Sequence, residues 1–315
     1  MSIHVVIGAG PVGSATALLL AGRGDEVRLI TRRGTGPRHP RIERIAADAT
    51  DSSSLSTHSA GATAMYQCAQ PEYHRWPTDF PPLIQSAISA AETTGAVLVT
   101  VGNLYGYGAV DTPITEQHPL HPNSTKGRTR AGLWNAALTA HRAGRIRTAE
   151  VRGSDYLGAG ANSAFTVMVL PAVRAGKQGL FPCDPDAPHS WTVIDDMART
   201  LVAVADDETA WGRAWHTPTA APLSVRALAQ LVADLAGAPL ARVRRMPAAV
   251  LWAAGLFDSN AREMREVRYQ FDRPLVLDSS TATTTFGIEP TATAVAVQAT
   301  LDNLSTAERD AAGRS

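Results

Sequence analysis

Cysteine is scarce: Cys68 and Cys183 are the two in 315 residues. Two thiols so far apart give no disulfide framework, so a packed core must hold the fold, and both are expected inside as small hydrophobes. Lysine is as rare, because Lys126 and Lys177 are the two among 29 basic residues. Net charge is missing too, with 29 basic against 29 acidic side chains. Nothing global therefore draws the chain to nucleic acid or to an anionic membrane. Long apolar runs are absent, and "AAVLWAAGLF" at 248–257 falls well short of a membrane span. The opening "MSIHVVIGAG" enters a strand at once with no basic leader, so a cytoplasmic protein is expected. No His, Cys or acidic cluster has metal-ligand spacing, and neither G-x-S-x-G nor a Ser-His-Asp arrangement is visible. What remains is 44% hydrophobic and 18% charged, the composition of a globular chain with a sizeable core.

The first half alternates short apolar runs with helical periods. "HVVIGAG", "DEVRLITRRG", "IERIAADATD", "GATAMYQCA", "AVLVTVGNLYGYG" and "IRTAEVRGSDYLG" read as strands. "PVGSATALLLAGRG", a stretch near Pro81 to Thr94, and "KGRTRAGLWNAALTAHRAG" read as helices. That alternation predicts an α/β fold, a Rossmann-type doubly wound parallel sheet covered on both faces. After about Gly160 the rhythm changes to a proline-rich loop and further helices: "VIDDMARTLVAVADD", capped by Asp195 or Asp196, then "SVRALAQLVADLAG" and "PAAVLWAAGLF". Residues 1–160 are expected to form the Rossmann-type domain. Residues 161–315 are expected to form a smaller, more helical substrate lobe, with 189–205 packing back on the sheet.

"GAGPVG", Gly8 to Gly13, fits G-x-G-x-x-G between a strand and a helix. Gly8 permits the turn, Gly10 lets a pyrophosphate approach, and Gly13 lets helix and strand pack closely. Pro11 and Val12 open the helix, whose N-terminus offers N–H groups to phosphates. An acid normally follows the second strand in NAD and FAD sites. Here Thr31, Arg32 and Arg33 stand instead, and guanidiniums suit a 2′-phosphate, which favours NADP(H) and weakens a flavoprotein reading. Asp48, after the third strand, could face the adenine, and Ala69, ending the fourth, completes the expected cofactor set.

The order of features resembles the extended short-chain dehydrogenase/reductase superfamily, near its NAD-dependent epimerase/dehydratase group. The resemblance rests on the glycine loop, "AADATD" (46–51), "VGNLYGYG" (101–108), Lys126, "VRGSDYLGAG" (151–160), "HSWTVIDDMARTL" (189–201) and "FGIEPT" (286–291). Ile7 departs from the group's first loop glycine, which points to an atypical branch. The resemblance implies a Ser-Tyr-Lys triad in which tyrosine moves the proton, lysine holds the nicotinamide ribose and serine polarises the substrate oxygen. Counted onto this chain, those places hold Asn103, Pro122 and Lys126. Asparagine can still donate a hydrogen bond; proline can do no acid–base chemistry. If the fifth strand persists, Asn103, Tyr105 and Tyr107 share one face, so Tyr105, or second Tyr107, is expected as the proton donor beside Lys126. His118 and His121 are other candidate acids on a proline-rich loop. Arg242, Arg244 and Arg245 could meet an anionic substrate or simply face water.

The expected activity is NADPH-dependent hydride transfer to a carbonyl or activated double bond of a small-molecule substrate. One alternative is a sugar-nucleotide epimerase or dehydratase using bound NAD(P). Another is a non-enzymatic NADP(H) sensor, which the missing tyrosine supports. No nucleic-acid or membrane partner is expected, and the resemblance implies a possible homodimer through the helices flanking the site.

Overall fold

The computed structural model describes residues 1–247, 250 and 265–312. Among these, seven strands form one parallel sheet: β1 (Ile3–Ile7), β2 (Glu26–Thr31), β3 (Ile42–Ala46), β4 (Ala64–Gln67), β5 (Val97–Asn103), β6 (Thr148–Gly153) and β9 (Ala214–His216). Their order is β3-β2-β1-β4-β5-β6-β9. The chain winds outward from β1 to β3 and then crosses to β4 on the other side of β1. That reversal opens a crevice at the C-terminal ends of β1 and β4, where ligands bind in open α/β sheets.

Alternation along each strand feeds two cores. Val6, Tyr66, Val97 and Val99 face α1 (Pro11–Gly22) and α7 (Ile194–Asp206), together with Leu20, Met197 and Leu201. Val5, Ile7, Met65 and Leu98 face the opposite layer of α2 (Ser52–His58), α3 (Trp76–Thr94) and α4 (Thr125–Arg142). Burial on both faces is why these strands read as unbroken apolar runs. The α/β doubly wound architecture expected from the sequence is present.

Local readings needed correction in three places. Helix α3 begins at Trp76, five residues before the expected Pro81. Pro77 sits in its first turn, where no N–H partner is required, and Trp76, Phe80 and Ile84 bury one stripe that carries the helix through Pro81 and Pro82. "IRTAEVRGSDYLG" is two strands, not one. The chain leaves the sheet after Gly153, and β7 (Asp155–Leu157) pairs with β8 (Trp191–Val193) instead. A side chain at Gly153 would press on Met197 and Thr192, and Ser154 N donates to Thr192 Oγ1 at 2.8 Å. Finally, neither Asp195 nor Asp196 caps α7: Val193 is the N-cap residue. Asp196 is fully buried and accepts from Thr291 N and Thr291 Oγ1, with Arg199 at 2.5 Å.

Described segments after Gly153 build a third core. Phe165 of α5 (Ala164–Met168), Val173 of α6 (Leu170–Arg174), Leu228 and Val232 of α8 (Val225–Ala236), and Val297 of α10 (Thr293–Ala312) pack around Phe181, Trp191 and Phe271. Helix α9 (Ser280–Phe286) returns to the sheet, and Phe286 meets Trp215 edge-on at 4.7 Å. The expected helix "PAAVLWAAGLF" lies, apart from Pro247 and Val250, outside the described residues. Among the described residues no helix is long and apolar enough to cross a membrane. Cys183 is buried and Cys68 half-buried, and desolvation pushes each thiol up to about 12.

Candidate active site

The three loop glycines do three different jobs. Gly8 has φ +96°, and a Cβ there would lie 2.6 Å from Ala69 Cα. Gly13 packs so tightly under β1 that a Cβ would run into the Gly8 carbonyl. Gly10 faces open space, with nothing within 4 Å of a built Cβ. Gly10 is also the N-cap of α1, with no side-chain cap and with Pro11 in the first turn. Buried Val12 pins the turn from below. An open helix N-terminus beside a vacant approach over glycine is a fitting cradle for a pyrophosphate.

Beyond β2, Thr31 is tied into its own turn. Its Oγ1 accepts from Thr35 N at 2.8 Å and donates to Thr35 O at 3.2 Å. Arg32 and Arg33 are exposed, so neither is committed to the core. Asp48 accepts from Thr50 N and Thr50 Oγ1, and those bonds, together with nearby Arg32, hold its carboxyl below the usual range.

Lys126 is 1% exposed, although it lies in the first turn of α4. Ser124 caps that helix by accepting from Gly127 N at 3.0 Å. Gly127 lets the turn press against the Tyr105 backbone; a Cβ there would lie 2.5 Å from Tyr105 O and 3.0 Å from Pro122 Cβ. Pro122 thus packs beneath the helix start. The Lys126 ammonium meets Glu266 Oε2 at 3.6 Å and sits 4.3 Å from the centre of the Tyr73 ring. Glu266 also accepts from Thr125 N and Lys126 N, tying the second lobe to the helix. Tyr73 donates its hydroxyl to Tyr105 Oη at 3.3 Å.

The shared-face expectation for Asn103, Tyr105 and Tyr107 fails because β5 ends at Asn103. The chain turns into a single 3₁₀ turn, Leu104–Tyr107, capped by Asn103 Oδ1 accepting from Tyr105 N at 3.2 Å. The turn sends the two tyrosines apart. Tyr105 joins Tyr73 and the Lys126 helix. Tyr107 is buried in a closed chain: Arg152, paired with Glu150 at 2.6 Å, donates to Tyr107 Oη at 2.6 Å, and Tyr107 lies 2.8 Å from His216 Nε2. His216 Nδ1 lies 2.8 Å from Asp278 O, which must accept, so Nε2 is the acceptor for Tyr107. Tyr107 therefore has a structural job and no free proton to offer.

Burial pushes the Tyr105 phenol well above its ordinary value, nearby Asp155 adds to that, and the bond from Tyr73 opposes it. Burial raises Tyr73 further still. Both remain protonated at neutral pH. His118 is used locally, its Nδ1 accepting from Thr115 N at 3.0 Å, and His121 is exposed. Arg242 and Arg244 are exposed, while Arg245 pairs with Asp272 at 2.7 Å.

Several residues at this edge escaped the sequence reading. Tyr73, Asp155, His189, Glu266 and Tyr269 all approach it, and Tyr269 donates to Tyr105 O at 3.4 Å. Ser154, Asp155 and His189 come together, yet Ser154 Oγ and Asp155 Oδ2 both meet His189 Nε2, at 3.3 and 3.0 Å, and Nδ1 has no partner among the described residues. Two groups on one ring nitrogen make no nucleophile relay. The position of Tyr73 just past the C-terminal end of β4 was the one available signal for it; Glu266 carried none.

The glycine turn stands at the sheet's switch point, and the buried lysine stands at the start of α4. The chain belongs to the NAD dependent epimerase/dehydratase family, whose model matches residues 4–215. Solved structures of similar fold include UDP-glucuronic acid 4-epimerase from Bacillus cereus in complex with NAD, with TM-score 0.77 and 17% identity over 96% of this chain and 99% of that one. The enzyme WbmH of Bordetella bronchiseptica in complex with NAD+ gives 0.76 and 18% over 97% and 98%. DesIV, the dTDP-glucose 4,6-dehydratase of Streptomyces venezuelae with NAD and TYD bound, gives 0.74 and 20% over 96% and 97%. Kynurenine 3-monooxygenase 3 of Aspergillus niger is 29% identical over 150 residues, 48% of this chain, and the chain spans 22% of that protein's length.

Proposed function

We propose that the chain moves hydride at a hydroxyl- or carbonyl-bearing carbon of a sugar-nucleotide substrate, in the manner of an epimerase or dehydratase, using a tightly held nicotinamide dinucleotide. The observation that carries this over the expected net reductase is coverage. Similarity to the epimerase and dehydratase structures runs through the second lobe as well as the sheet, over 96% of this chain in both cases. When bound, the nicotinamide would supply or take up hydride. Gly8, Gly10, Pro11, Val12 and Gly13 would hold its pyrophosphate, with Ala69 closing the floor. Lys126 would present positive charge beside the reacting oxygen. Tyr105 would hold or release the proton that the missing tyrosine at Pro122 cannot. Asn103 has committed its side-chain oxygen to Tyr105 N, which leaves its NH2 group to donate to substrate. Residues 1–160 would serve the dinucleotide and 161–315 mainly the substrate, and a homodimer would form through α3 and α4.

A second reading, net NADPH-dependent reduction of a carbonyl or activated double bond, has its own support. Arg32 and Arg33 replace the usual acid after β2, which suits a 2′-phosphate. Protonated Tyr105 is also an acid ready for a carbonyl rather than a base for an alcohol. The two readings part on one experiment. The purified protein is denatured and any released dinucleotide identified, and the native protein is offered UDP- and dTDP-sugars and a carbonyl panel. Copurified dinucleotide with altered sugar nucleotides and no net NADPH oxidation supports the first reading; stoichiometric oxidation supports the second. In either case Tyr105→Phe should lower turnover by about 100-fold or more, and full retention would remove Tyr105 from the chemistry.

A further inference from the structure

The geometry points to Tyr73 as the residue that couples the Lys126 charge to the Tyr105 hydroxyl, so that Tyr73 steadies Tyr105 as it gives up its proton. This rests on the hydride-transfer reading above for its use, but not for its existence. Pro122 fills the place four residues before Lys126, so the tyrosine at the ammonium comes from elsewhere in the chain. Tyr73 touches both groups. Its ring lies under the ammonium at 4.3 Å, where the face of an aromatic ring attracts a cation. Its hydroxyl donates outward to Tyr105 Oη. That direction leaves the Tyr105 proton for another acceptor. The ring is held from a second side by Trp76, edge-on at 4.9 Å, and Trp76 lies 6.0 Å from the Tyr105 ring. Glu266 Oε2 also meets the ammonium, at 3.6 Å. Four elements thus fix one contact line: the loop before α3, the turn after β5, the start of α4 and the second lobe.

The balanced step is simple. The substrate's carbonyl carbon accepts a hydride from a dihydronicotinamide nucleotide, which is thereby oxidised by two electrons. The carbonyl oxygen takes the proton of Tyr105. The negative charge stays on the Tyr105 phenolate, which accepts the hydrogen bond from Tyr73 Oη, and water later returns a proton to Tyr105. Reversed, the same step takes a proton from a substrate alcohol. Tyr73 is a positioning residue here: it acts through Tyr105.

The test uses the full chain labelled with tyrosine carrying 13C at the ring carbon that bears the hydroxyl. Tyr73→Phe and Tyr105→Phe each remove one resonance and so assign the pair. With no cofactor or substrate present, Tyr73→Phe should shift the Tyr105 resonance, and Lys126→Met should shift that of Tyr73. An unmoved Tyr105 resonance in a folded Tyr73→Phe protein overturns the coupling, since phenylalanine keeps the ring and its packing. Where wild-type turnover is found, Tyr73→Phe should lower kcat roughly tenfold with KM little changed and steepen its loss as pH falls or rises from the optimum, whereas unchanged kcat and pH profile would overturn its use. A wild type that turns over nothing defeats the functional reading and leaves the spectra to decide the coupling alone.

Discussion

Alanine at Gly13 and alanine at Gly10 should part company, although both break the same motif. A Cβ at Gly13 would run into the Gly8 carbonyl and lie 3.2 Å from Cys68 Cβ. Neither neighbour is the flexible end of a side chain, so α1 must move away from β1. Overpacking of this kind costs about 1–3 kcal/mol, and a chain of this size loses roughly 2–4 °C of Tm per kcal/mol. Under the proposed function the displaced α1 also carries the pyrophosphate cradle, so dinucleotide binding should fall with stability. At Gly10 the added methyl meets nothing within 4 Å, and φ is −66°, which alanine adopts freely. Its stability should stay within about 0.5 kcal/mol of wild type, while the methyl occupies the space a phosphate needs. Thermal unfolding and nicotinamide-fluorescence titration of both variants measure the two effects separately. A Gly10→Ala protein that binds NAD(P)H like wild type, or that melts as early as Gly13→Ala, would refute the division of labour.

Acid should weaken the fold through His216. Desolvation by burial holds its pKa down to about 4, against 6.5 unfolded. The unfolded chain therefore takes up a proton that the folded chain refuses. The contribution of His216 is complete above about 6.5 and is lost as pH falls toward 4, by about 3 kcal/mol in total. Urea unfolding across that window should show the loss, and His216→Gln should flatten it; an equal slope in the variant would contradict the assignment. Replacing Arg32 and Arg33 together by alanine should weaken NADPH roughly tenfold or more, leave NADH nearly unchanged and leave Tm in place, because both side chains are exposed. Equal loss for both nucleotides would show that the arginines do not read a 2′-phosphate.

The central strands β1, β4 and β5 were legible because burial on both faces leaves apolar runs, the short edge strand Ala214–His216 was not read, and the glycine loop was legible because turn, approach and packing each demand glycine at a fixed offset. Lys126 stood out through the rarity of lysine. What could not be read was long-range. The sequence could not say that β5 would stop at Asn103, since "LYGYG" continues the aromatic pattern of a strand. That one turn separates Tyr105 from Tyr107 and gives Tyr107 to Arg152 and His216. Tyr73 and Glu266 reach Lys126 from positions 53 residues before and 140 after it, through contacts that local periodicity does not encode. The same holds for Asp196, whose place in a helix's first turn suggested a cap while its carboxylate serves Thr291.

The central claim is that this fold still binds a nicotinamide dinucleotide beside Lys126. The most direct measurement is a fluorescence titration of the purified protein with NADPH and with NADH, repeated on Lys126→Met. Saturable binding by wild type, clearly weakened in the variant, is the expected result. No binding of either nucleotide to a folded wild type that carries no copurified dinucleotide would contradict the account.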